Sequence, residues 1–181
     1  MRSSLKAKLD YSDFLAAPDD RNRYEILHGE LYVSPPPTPI HQRVSKRLQR
    51  QLEAYFEARA LGEVFDAPIG LILTTHDIAE PDLLVVADMA QITERGIEGP
   101  PLLVVEVFSP STRGRDTGVK ARRYAELGIP HYWLVDPEAR RVECQALDSG
   151  AYRVVITAEG DARLSHPAWP ELTIDLAALW R

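Results

Sequence analysis

Residues 102–108, LLVVEVF, form a nearly unbroken apolar, β-branched run between Pro101 and Pro110. A strand of that composition is covered on both faces, as in the middle of a mixed or parallel sheet. Glu106 stands inside it. An isolated carboxylate in such a place is costly, so it calls for a cation or a change of protonation.

The surrounding pattern predicts the rest of the architecture. Residues 10–17 read as a short helix ended by Pro18, and YEILHGELYV reads as a hairpin around His28-Gly29, where glycine supplies positive φ. A proline-rich loop runs from Ser34 to Pro39. Ile40, Val44, Leu48, Leu52 and Tyr55 then recur at helical spacing, giving an amphipathic helix over 40–60 that closes near Gly62. Strands are expected at 68–73 and 82–87, with TTHDIAEP a loop between them and Asp88 to Gly99 a short helix or loop.

After the 102–108 strand comes a helix over 116–127, with Asp116 as its N-cap and Gly128 as its stop, followed by the strand HYWLV at 131–135. A strand–helix–strand unit implies a parallel pair. Segments 141–147, 152–157 and 162–165 read as an antiparallel meander, closed by a helix from Leu176 to Trp180. From residue 40 the order is helix, three strands, helix, strand. The class is α/β (α+β by some definitions), built around a mixed sheet.

Three charges occupy positions that packing alone would not choose. Asp82 opens a buried strand after Pro81, Glu106 interrupts an apolar one, and Lys120 shares a helix face with Tyr124 and Leu127. A Mg²⁺ or Mn²⁺ ion would account for two acids brought together, because such ions take hard oxygen ligands from one or two carboxylates and leave other positions to water and phosphate. A buried Lys120–Glu106 ion pair would explain those two residues without any catalysis.

Composition narrows the setting. The 181 residues fit one domain, 1–181, with 45% hydrophobic and 27% charged residues. The single Cys144 excludes an intramolecular disulfide. The N-terminal MRSSLKAKLDYSDF lacks the apolar core of a secretory signal, and no run approaches a membrane helix, so a cytoplasmic protein without a membrane partner is expected. A net charge of −6 disfavours a generic DNA coater. Basic residues nevertheless cluster at Arg43, Lys46, Arg47 and Arg50, and again at Arg113, Arg115, Lys120, Arg122 and Arg123. A solvated helix face accounts for each cluster taken alone.

The set PD (81–82), VVEVFSPST (104–112), D-x-x-x-K-x-x-x-Y (116–124) and GIPHYWLVDPE (128–138) resembles the Uma-type restriction endonucleases of the PD-(D/E)XK nuclease superfamily. The likeness extends upstream to YEILHGEL (24–31) and to the proline-rich loop followed by His41, covering roughly residues 10–147. It implies a restriction-endonuclease-like core and an endonuclease that hydrolyses DNA with Mg²⁺ or Mn²⁺, leaving 5′-phosphate and 3′-hydroxyl ends. Asp82 and Glu106 would bind the metal, joined by the carbonyl of Val107, and Lys120 would complete the catalytic set. Phe108 stands where the usual lysine would be, and the family moves that lysine onto the following helix. His28 and His131 also stand where the family more often has acids.

Around this site Glu30 is a candidate additional acid or a solvated hairpin residue. His41 is a phosphate contact at a helix start or a plain cap-region histidine. Ser109, Ser111 and Thr112 suit backbone phosphates or the shape of a turn. Asp116 reads as a cap that could tether a metal water, and Tyr124 as packing that positions Lys120. Arg43, Arg47, Arg113 and Arg115 are the candidate nucleic-acid contacts. Cutting both strands of a duplex needs two sites, so a homodimer is expected. The competing reading is a catalytically silent nuclease-fold module for nucleic-acid or protein binding. A small-molecule enzyme using the Cys144 thiol ranks last.

Overall fold

The structure, a computed structural model, describes residues 7–109 and 111–181. Pro110, which bounds the apolar run in the sequence, lies outside the described residues. Helix α1 (Tyr11–Leu15) starts at a capping box in which Asp10 and Asp13 each accept from the other's backbone amide. Strands β1 (Arg23–Leu27) and β2 (Glu30–Ser34) form the expected hairpin. Both turn residues are left-handed, His28 at φ 55° and Gly29 at φ 81°, the conformation that a tight two-residue hairpin turn requires.

Helix α2 (Pro39–Phe56) begins at Thr38, whose side chain accepts from the His41 amide, with Pro39 in the first turn. Val44, Leu48, Leu52, Tyr55 and Phe56 are buried along one side. Ile40, placed on that stripe by its spacing, is exposed, because the helix is only one turn old there and has not yet reached the sheet.

Strands β3 (Glu63–Asp66), β4 (Leu71–Thr74), β5 (Asp77–Ala79) and β6 (Leu83–Val86) follow, then a 3₁₀ turn (Met89–Gln91), β7 (Ile92–Thr93), β8 (Gly96–Glu98) and β9 (Leu103–Val107). Helix α3 (Arg113–Arg115) runs through a π-helical turn (Asp116–Lys120) into α4 (Ala121–Glu126). Strands β10 (His131–Asp136), β11 (Arg141–Asp148), β12 (Ala151–Glu159), β13 (Arg163–His166) and β14 (Trp169–Asp175) lead to α5 (Leu176–Trp180).

The central sheet has the order β12-β11-β10-β9-β6-β3. It is mixed: β9 and β10 are parallel, as expected of a strand–helix–strand unit, and the other neighbours are antiparallel. A second sheet, β2-β1-β5-β4-β8-β7, and a β13–β14 ribbon complete the strands. Alternation in β9 sends Leu103, Val105 and Val107 into a core shared with α2, the ribbon and α5. Val104 points into the opposite core, shared with Tyr124, Tyr132 and the second sheet. The sheet is covered on both faces, as LLVVEVF implied.

The α/β expectation with a helix, three strands, helix, strand core around a mixed sheet holds, with corrections inside it. The first of the three core strands is Glu63–Asp66, not 68–73, which falls mainly on β4 of the second sheet. The TTHDIAEP segment contains β5, and two short strands lie between Asp88 and Gly99. The helix after β9 starts at Arg113, so Asp116 is not its cap. The C-terminal meander holds for β11 and β12, but β13 pairs with β14 in a separate ribbon, and β14 was not foreseen. Among the described residues no helix is long and apolar enough to cross a membrane.

Candidate active site

The site grows from the pairing of β6 with β9. Leu83 pairs with Val105 and Leu84 with Val104, antiparallel. One more step of that register sets Asp82 opposite Glu106, and directly opposed side chains share a face. The Val107 amide donates to Asp82 Oδ2 at 2.7 Å. Val107 thus enters the site through its N–H, in service of a carboxylate.

Asp82 also accepts from Arg23 Nη1 on Oδ1 at 2.8 Å and lies 3.0 Å, through Oδ2, from His41 Nε2. Burial would raise its carboxyl, but the His41 contact, the Arg23 charge and the Val107 amide overcome it and hold it at about 2. His41 is therefore built into the site and is not a plain cap-region residue.

Lys120 ties the rest together. Its ammonium lies 2.7 Å from Glu106 Oε1, 2.8 Å from Glu25 Oε1 and 3.7 Å from Asp116 Oδ1, and all four residues are buried. Asp116, Lys120 and Tyr124 follow one another at i, i+4 spacing through the π-helical turn and into α4, so all three lie along one side. The Tyr124 hydroxyl donates to Glu106 Oε1 at 3.3 Å, so it touches the site as well as packing.

Burial would lower the Lys120 ammonium, yet Glu106 and Glu25 keep it well above its ordinary range. Both contacts favour the charged ammonium. Burial pushes the Glu106 carboxyl well above the usual range; Lys120 opposes this, but Asp116, Asp82 and Glu25 add to it. Glu25, equally buried, is held below its ordinary value because Lys120 and then Arg115 outweigh desolvation.

Glu25 and Arg23 were missed from sequence, and Glu30 was named in their place. Glu30 is exposed and accepts from the Tyr32 hydroxyl at 3.2 Å. A signal was present: alternation in β1 puts Arg23 and Glu25 on the face of Leu27, which is buried. Ser109, Ser111 and Thr112 bond to one another, with Ser109 Oγ 3.0 Å from Ser111 Oγ and 3.1 Å from Thr112 Oγ1. They shape the turn and also line a small cavity of about 170 Å³. That cavity shares Arg23, Pro37 and His41 with a larger one of about 340 Å³, which Asp82 and Lys46 also line.

The candidate arginines divide. Arg43 is exposed on α2 with Lys46 and Arg50. Arg47 donates to the Leu179 carbonyl at 3.0 Å and to the Arg181 carbonyl, fastening α2 to the C-terminal helix. Arg113 binds Asp136 at 2.5 Å and lies over the Phe108 ring. Arg115 donates to Ser34 Oγ at 2.5 Å and pairs with Glu25 at 3.3 Å, which commits it internally. Cys144 is buried, and burial pushes its thiol up, so it offers no nucleophile.

The donor set fits a hard divalent cation. Its carboxylates outnumber the cations beside them, and Glu25 Oε2 and Asp116 Oδ1 are buried with no hydrogen bond, only the longer ion pairs to Arg115 at 3.3 Å and Lys120 at 3.7 Å. Among the described residues no three His, Cys, Asp or Glu side chains form a ready-made cage. Asp82 and Glu106 would hold the ion, and water and phosphate would fill its other positions.

Comparison with solved structures gives a match over 95% of this chain and 97% of the other, at TM-score 0.75 and 19% identity. Its partner in that comparison is from Anabaena variabilis and is described as "a putative nuclease belonging to DUF820". At that identity the likeness shows a shared fold. Among curated proteins nothing matches. The family described as "Uma2: Putative restriction endonuclease" matches residues 11–177. Because that match runs from the first helix into the last, it takes in both sheets and every residue of the site, and the chain belongs to the Uma2 family.

Proposed function

We propose that the chain is a divalent-metal-dependent endonuclease that hydrolyses DNA phosphodiester bonds at Asp82, Glu106 and Lys120. The observation that carries this reading is the Lys120 ammonium 2.7 Å from Glu106 on β9, with Asp82, one residue before the paired strand β6, bonded to the amide of Val107 beside Glu106. The family description and the name of the matching structure point the same way. When bound, Mg²⁺ or Mn²⁺ supplies Lewis-acid polarisation of the phosphate and a more acidic water.

The chain's own residues do the rest. Lys120, held as an ammonium, orients the attacking water or offsets charge building on the phosphorane. Arg23 and His41 line the cavity in which Asp82 sits, and Arg43, Lys46 and Arg50 present charge to a phosphate backbone from the exposed side of α2. Cleavage of both strands would take two copies, hence a homodimer.

One observation favours the silent module: both oxygens of Asp82 are already engaged by protein donors. The test is supercoiled plasmid with Mg²⁺ or Mn²⁺, comparing the wild type with Asp82→Asn and Glu106→Gln. Nicking by the wild type that both variants lose supports the enzyme. Equal nicking by all three refutes the assignment, and Mn²⁺ binding without nicking supports the module.

A further inference from the structure

Asp82 has three protein partners, and its contacts are unequal. Oδ2 is held by His41 and by the Val107 amide, which belongs to the sheet and does not move independently. Oδ1 accepts from Arg23 Nη1 at 2.8 Å. Arg23 stands at the start of β1 and lines both cavities, where they meet. A guanidinium carries five N–H donors in a planar fork suited to phosphate, and its described side-chain hydrogen bond uses Nη1.

Formal charge makes the contact conditional. With all four carboxylates ionised, as a bound cation favours, Glu25, Asp82, Glu106 and Asp116 face Arg23, Arg115 and Lys120, leaving one negative charge in excess. A divalent cation added alone overcompensates by one. A cation together with one phosphodiester restores balance.

We propose that Arg23 is a phosphate-responsive latch. A backbone phosphate in the groove takes its guanidinium, and Asp82 Oδ1 is thereby freed for the divalent cation. The inference rests on the metal-dependent reading and adds to it an order: nucleic acid prepares the metal site. Metal and DNA then bind cooperatively through one side chain, and by linkage each tightens the other by the same factor.

The test is calorimetric titration of the full chain with Mn²⁺, alone and with a short phosphorothioate-backbone DNA duplex that resists cleavage. The wild type should bind Mn²⁺ at least about tenfold more tightly in the presence of the duplex. Arg23→Gln should bind Mn²⁺ without DNA about as well as the wild type does with it, and the duplex should add little. Arg23→Lys, which keeps the charge and loses the fork, should fall between them and serves if the glutamine variant does not fold. Inorganic phosphate in place of the duplex should reproduce part of the effect, since the recognised group is the phosphate. Mn²⁺ affinities in Arg23→Gln and Arg23→Lys that match the wild type with and without duplex overturn the latch alone. Failure of the wild type to bind Mn²⁺ even with duplex overturns the metal reading beneath it, and the latch with it.

Discussion

At the scale of single residues, the site is governed by one ammonium among buried carboxylates. Removing Lys120 while keeping its bulk, as in Lys120→Met, leaves Glu25 and Glu106 without the cation that lies within 2.8 Å of each. Breaking one side of a buried pair generally costs about 3–5 kcal/mol, and urea denaturation near pH 7 should return a loss of that size. Glu25→Gln should cost less, because Glu106 still holds the ammonium and the amide oxygen still accepts from it. The double variant should be more stable than the two single losses predict by addition, since the charges that conflict are removed together. Strict additivity would mean that Glu25 and Lys120 are not coupled. The same residues mark how far the sequence could be read. Glu106 and Lys120 stood out as charges among apolar neighbours. Glu25 obeyed the same logic, but in a five-residue strand with Arg23 two places before it the buried face was not evident. Glu30 drew attention instead; the hairpin register sets it against buried Leu27, yet beside the turn it is exposed.

Elements turned out to be legible where one period runs long enough. Helix α2 and strands β9 and β10 follow from repeats of 3.6 and from β-branched runs, whereas β3 offers four residues of which only Val64 is buried. The helix after β9 shows a different limit. Its true start has no side-chain cap bond at Thr112, so Asp116 looked like the first capping residue, and nothing in a helical period signals a π turn. That turn can be tested. Gly118 lies within it at an ordinary helical φ, and an added Cβ would meet nothing within 4 Å. Gly118→Ala should therefore stabilise the protein by about 0.5–1 kcal/mol and leave nicking activity unchanged. Urea denaturation checks this: a loss of stability in Gly118→Ala would mean that the π turn does not tolerate a side chain there.

Across the whole molecule, charge and packing are sorted in ways that sequence order conceals. The second basic cluster is largely spent inside: Lys120 and Arg115 on Glu25, Arg123 on Asp77. The C-terminal ribbon shows the counterpart in packing. His166 stacks on Trp169 at 4.5 Å and Trp133 at 5.4 Å, with His131 edge-on at 5.3 Å. Its Nδ1 accepts from the Ala168 amide at 3.1 Å, so the neutral ring carries its proton on Nε2, a buried atom without a partner. Burial, reinforced by His131, lowers the imidazole from 6.5 to about 4. The sign follows from proton counting. Between about pH 6.5 and 4 the unfolded chain binds a proton at this residue that the folded one refuses, so its contribution to stability declines as pH falls through that window. The total amounts to about 3 kcal/mol. Asp82, held at about 2, loses its own contribution only below this range, whereas Glu106 and Asp116, both raised, act in the opposite direction. The difference between the wild type and His166→Phe isolates the histidine, because the phenyl ring keeps the aromatic stack and cannot titrate. Urea unfolding followed by Trp fluorescence should show the variant gaining on the wild type by roughly 2–3 kcal/mol between pH 7 and pH 4. A stability gap that stays constant across that interval would mean that the ribbon stays docked with His166 charged.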